Sequence, residues 1–245
     1  MYLRITSLAM LLSFVVLVPV AADQAPPKPL RHLSYDVNVG ISTLQDLTNY
    51  NGHMTSGKGN LTSHGSIDAD VLAARPDDKS LVVRVSETSE QRKAPPVTLV
   101  VLADGRVSVD PKEAGNMNEE EQALVGFLGR AIVADHELSP GATWKVAMTG
   151  GGSSDEMTYR VDSLVGDDQV NLDVQRSISV AGAQPMQITI TGKVLYDYKR
   201  SVPISATINQ HVVVKTIEAQ NTSELSFEYH LLQDSLAGAS GAAGS

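Results

Sequence analysis

Leu33-Ser34-Tyr35-Asp36-Val37-Asn38-Val39-Gly40-Ile41-Ser42 carries an apolar side chain at every second position, with small or polar residues between. In an extended chain successive side chains point to opposite faces, so this stretch buries one face and wets the other. A helix would require a spacing near 3.6 instead. The same alternation recurs at residues 61–71, 81–85, 144–148, 157–161, 170–174, 186–194, 206–214 and 225–231. One-sided strands of this kind form antiparallel sheets, because parallel sheets are covered on both faces. The turns agree. Asn51-Gly52 and Asp104-Gly105 supply the positive φ of tight hairpins, and Asp104-Gly105 joins residues 97–102 to 107–109. Gly150-Gly151-Gly152 and Gly166-Asp167-Asp168 separate further apolar runs.

One segment breaks the rhythm. Between Glu119 and Ala134, Leu124, Phe127, Leu128, Ala131 and Ile132 follow helical spacing, with Asn118 as N-cap and Glu121 as its capping-box partner. Gly126 and Gly129 each cost about 1 kcal/mol of helix propensity, which implies close packing at those turns or a mobile helix. The expected fold is therefore mainly β. It is a single domain of about ten or eleven antiparallel strands in a curved sheet or half-barrel, with one amphipathic helix near 119–134.

Residues 1–22 read as a secretory signal peptide: Arg4, an apolar run from Leu8 to Val18, then Val20 and Ala22 small enough for a signal peptidase to cut after Ala22. The alternative is an uncleaved anchor, which Pro19 and the shortness of the uncharged stretch disfavour. Residues 23–31, with Pro26, Pro27 and Pro29, form a spacer before the β-rich domain at 32–235. A Gly/Ala/Ser tail at 236–245 has too little to bury to order itself.

The chain of 245 residues contains no cysteine, which removes disulfides, thiolate nucleophiles, Cys-ligated metals and N-terminal lipidation. An exported, disulfide-free chain of this size points to a bacterial periplasm or cell envelope. With 28 acidic against 19 basic residues, no positive field exists to recruit a nucleic acid. After signal removal no integral membrane segment is expected.

No nucleophile elbow, zinc helix, phosphate loop or calcium loop is present. The expectation is accordingly no catalytic residue, no metal and no cofactor, with a hydrolase assembled only in three dimensions as an open alternative. His136, between Asp135 and Glu137, has the setting of a metal ligand or tuned base, but its place just after the helix favours a cation at the helix C-terminus instead. Asp68 and Asp70 share a strand face, the pattern of an acidic solvent surface, and His211 and His230 fall on polar strand phases. Tyr196-Asp197-Tyr198-Lys199-Arg200 reads as a strand end entering a turn, and the tryptophan, Trp144, as a core or rim anchor.

Strands such as Leu33–Ile41, with a helix bearing Leu124, Phe127, Leu128 and Ile132, resemble the half-barrel of bacterial periplasmic lipoprotein carriers over residues 33–234. The resemblance implies a curved sheet that holds acyl chains in an apolar concavity under helices. This chain departs from that pattern in bringing one mid-chain helix where the carriers bring more.

The expected function is an exported, non-enzymatic binding or carrier protein for an apolar or amphipathic, lipid-like ligand. Leu124, Phe127, Leu128 and Ile132 would form its lid, and Trp144 and Met148 its sheet and rim. The alternative is a cell-envelope structural or interaction module with a self-filled core and an envelope protein as partner.

Overall fold

A computed structural model describes residues 28–48, 54–89, 95–150, 153–182, 184–216 and 219–236. The signal peptide, most of the spacer and tail, and the Asn51-Gly52 and Gly151-Gly152 turns lie outside the described residues.

The strands run in chain order as β1 (Arg31–Thr48), β2 (Met54–Ala74), β3 (Leu81–Ser89), β4 (Val97–Val101) and β5 (Val107–Val109), then helix α1 (Glu119–Gly126). They continue as β6 (Thr143–Gly150), β7 (Ser153–Val165), β8 (Gln169–Val180), β9 (Met186–Asp197), β10 (Val202–Lys215) and β11 (Ala219–Asp234). All belong to one 11-stranded antiparallel sheet in the order β5-β4-β3-β2-β1-β11-β10-β9-β8-β7-β6. Sequence neighbours pair within β1–β5 and within β6–β11, and the long-range pairing of β1 with β11 joins the two meanders. The sheet stays open, with β5 and β6 as its edges. Each alternating run of the sequence became a strand. The Asp104-Gly105 hairpin forms as expected, with Gly105 at φ +87°.

Register sorts the inner face, against which α1 packs, into rows across the strands. One row runs Leu172, Val194, Ala206, Tyr229, Val37. The next runs Val174, Gly192, Ile208, Phe227, Val39. Apart from Gly192, whose missing side chain leaves room for Ile208, all are buried. The tyrosines Tyr35, Tyr159, Tyr196 and Tyr229 extend this core, and their burial pushes each hydroxyl up in pKa and keeps it protonated. Tyr35 donates to the Pro203 carbonyl at 3.2 Å.

The helix is shorter than its apolar spacing predicts. It ends at Gly126 instead of Ala134, and the chain continues through turns. Gly129 lies just beyond this end. A Cβ there would lie 2.4 Å from the Gly105 nitrogen, so this backbone packs directly on the β4–β5 turn, and Ala131 donates its N–H to the Ala103 carbonyl at 2.8 Å. Beyond Gly126 the ladder gives way to i→i−3 turns at Phe127, Leu128 and Ile132, with Ala131 bonded to the hairpin. His136 is therefore no helix C-terminal cation; it stacks on Trp144.

Candidate functional site

Between α1, the β4–β5 turn and the inner face of β6–β10 lies a cleft of about 110 Å³. Phe127, Val107, Val146, Met157, Val174, Ile190 and Ile208 give it apolar walls. Two ion pairs stand on its rim. Arg106 Nε donates to Asp104 at 2.6 Å, and Arg176 grips Asp155 through both Nε (2.8 Å) and Nη2 (2.6 Å). The hydrogen bonds to Asp155 raise the Arg176 pKa further, so the guanidinium stays charged.

The cleft opens along the register toward two rows that are no longer fully buried. Past the boundary row of Arg176, Ile190 and Gln210 come Ile178, Ile188 and Val212, then Val180, Met186 and Val214. These six apolar side chains are half-buried, whereas Val174 and Ile208, on the far side of the boundary row, are covered. On β11 and β1 the same rows change to Ser223, Asn221, Thr43 and Gln45, which bounds the aliphatic patch to β8–β10.

The expected lid residues separate. Phe127 lines the cleft, but Leu124, Leu128 and Ile132 turn into the core, at 0%, 2% and 2% exposure. Trp144 is buried between the rings of His136 and Tyr159, with centroids at 4.5 and 5.5 Å, and does not line the cleft. Met148 pairs with Asp155 in the β6–β7 ladder; its side chain lies outside the described residues. Asp135 pairs with Lys79, and Asp70 with His32 and Arg84. Among the described residues no group of His, Asp and Glu is arranged to hold a metal ion, and no helix is long and apolar enough to cross a membrane.

Sequence reasoning passed over the rim residues, yet they left a signal. Arg176 sits in the apolar phase of Val170, Leu172, Val174, Ile178 and Val180, and Gln210 and Glu87 interrupt the apolar phases of β10 and β3. Each faces α1 or the cleft. A polar residue inside an otherwise apolar phase marked the boundary between covered and uncovered surface.

On the opposite face a broader hollow of about 830 Å³ is lined by Thr143, Thr158, Thr191, Thr207 and the Arg160–Asp173–Lys193 charges.

No family model matches this sequence, and no curated protein is similar to it. Among solved structures the chain is similar to part of lipovitellin, in a structure titled for lipid–protein interactions. The match has a TM-score of 0.43 and 11% identity over 84% of this chain, which spans only 25% of the lipovitellin chain.

Proposed function

We propose that this protein is an exported, non-enzymatic carrier of an apolar or amphipathic, lipid-like ligand in a bacterial envelope. The half-buried aliphatic surface of Ile178, Ile188, Val212, Val180, Met186 and Val214, continuous with the cleft, carries this reading. It is aliphatic, bounded, and ends at a rim that presents both guanidinium and carboxylate groups. A site for a whole small molecule usually needs roughly 300–1,000 Å³, well above what the cleft holds. The ligand therefore lies along the β8–β10 rows, with one end at the Phe127 side of the cleft and its polar part beside Arg176 and Asp155. The apolar run at residues 8–18 followed by Val20 and Ala22 supports export, and the mature N-terminus would be Asp23.

The test uses delipidated protein and palmitate. A rise in melting temperature, with a stoichiometric adduct in native mass spectrometry, is expected. Ile188→Asp removes the adduct while the unliganded protein still folds. Absence of both adduct and shift overturns the reading.

One observation favours a second reading, an envelope structural or interaction module. The surface under α1 is filled by the chain's own Leu124, Val125, Leu128 and Ile132. That module would show no lipid adduct and would co-purify with a defined envelope protein.

A further inference from the structure

The N-terminal turn of α1 docks on the sheet through carboxyl groups. Asn118, the N-cap, donates its backbone N–H to the Glu121 carboxylate at 2.8 Å, while its side-chain amide reaches Glu87 on β3. Glu87 is 6% exposed, an acid in the inner phase after Leu81, Val83 and Val85. Glu120 lies against it, with the two carboxyl groups within hydrogen-bonding reach of each other. Two ionised carboxylates cannot share a hydrogen bond; one must hold a proton. The adjoining Glu119 accepts from Gln210 Nε2 at 2.7 Å, and the Tyr229 hydroxyl donates to the Glu120 carbonyl at 2.9 Å.

Acidic and neutral groups lie around Glu120. β3 presents Glu87, α1 itself presents Glu119 and Glu121, β11 presents the Tyr229 hydroxyl and β10 the neutral Gln210. From β1 and β2 come Val39, Ile41, Leu61 and Ser63, all uncharged. The opposite end of the segment is differently held. There Gly105 and Gly129 are in backbone contact, and a Cβ on Gly105 would meet the Gly126 carbonyl oxygen at 2.4 Å. One end of α1 is thus pinned by close packing and the other is loaded with like charge.

We infer that α1 is an acid-closed latch: a proton on Glu120, held against the Glu87 side chain, seats the N-terminal turn on β3 and β11, and loss of that proton lifts the turn about the contact of Gly126 and Gly129 with Gly105. Burial, followed by the neighbouring carboxylates, pushes Glu120 up to about 7 from 4.5, and burial raises Glu119 as well. The seated state then binds more protons than the lifted state between those two values. Seating is weakest above about pH 7 and strengthens steadily as pH falls toward 4.5. The latch forms one wall of the cleft, so it would regulate the ligand site proposed above, although its motion does not depend on that reading.

Because the chain has no cysteine, two can be introduced without background. Nitroxide labels on Gln122→Cys in α1 and Lys145→Cys on β6 give a distance distribution by pulsed electron paramagnetic resonance, with no ligand present. A single narrow distance is expected at pH 5.5, and a second, longer population at pH 8.5, the ratio of the two changing by about ten- to a hundredfold. Glu120→Gln, which keeps shape and removes the charge, should hold the narrow distance at both values, and Glu87→Gln should do the same. A distribution identical at both pH values in the parent protein overturns the latch. So does a pH-dependent distribution that both substitutions leave unchanged. A working latch with no palmitate bound at either pH would instead sink the carrier reading alone.

Discussion

The two ends of the inner face are built from the same strands in opposite ways. At one end, where β1 begins and β11 finishes, Asp234 accepts from Arg31 Nε at 2.9 Å and Nη2 at 2.7 Å and from Arg200 at 3.1 Å, and Arg200 also donates to Asp197 at 2.7 Å. β-Bulges cluster there too, at Ser34/Tyr35, Val71/Ala73, Val161/Ser163 and Pro203/Ser205. Each bulge sharpens the local twist and helps wrap the sheet around its buried tyrosines. At the other end the ladders run on regularly from β7 to β10, and the aliphatic rows stay half-exposed. The difference teaches that strand length alone does not bury a strand; a cover is needed, and α1 with its following turns covers only the clamped half.

The strongest way to break this comparison is at the clamp. Asp234→Ala leaves two guanidinium groups facing a site from which their counter-ion has gone, and should lower unfolding stability by about 3–5 kcal/mol in urea titration. In the parent protein burial pushes the Asp234 carboxyl up, but the hydrogen bonds from Arg31 outweigh it and hold its pKa below the usual range. That contribution is complete above the unfolded-state value near 4 and is lost as pH falls through the folded value. The α1 latch tightens between about pH 7 and 4.5 and the clamp weakens only below about 4, so thermal melts should rise as pH drops from 8 toward 5 and fall again below about 4.

Leu128→Ala, beneath the cover, should cost about 2–5 kcal/mol, measured by denaturant unfolding. Gly129→Ala sharpens the picture of the cover itself. Its Cβ would meet the Gly105 backbone, so a loss of about 1–3 kcal/mol is expected. Trp144 reports the same change as a fluorescence shift, because His136 on the displaced segment would leave its stacking position. At the open end Ile188→Ser should cost less than about 1 kcal/mol, since its side chain is half-exposed already, while abolishing the palmitate adduct. A cost as large as that of Leu128→Ala would show that the open rows are ordinary core.

Much of the fold was legible because the signal was local. The alternation from Leu33 to Ile41 and its repeats fixed which residues form strands, and Asp104-Gly105 placed a hairpin where only a positive φ serves. The site was less legible. Phe127 lines the cleft, whereas Leu124, Leu128 and Ile132, on the same apolar spacing, turn into the core, and the chain has already left the helix at Leu128 and Ile132. Trp144 went to a stack with His136, a contact that no spacing in the sequence announces.

By itself the sequence determined the strands, their two faces and the antiparallel class, since side-chain alternation follows from backbone geometry within a few residues. Tertiary structure decided where the helix stops and which apolar rows are covered. It also decided which acids meet, because Glu87 and Glu120 lie far apart in sequence and are joined only when α1 seats on β3. Contacts of that range depend on every strand pairing between them, and no local pattern encodes that.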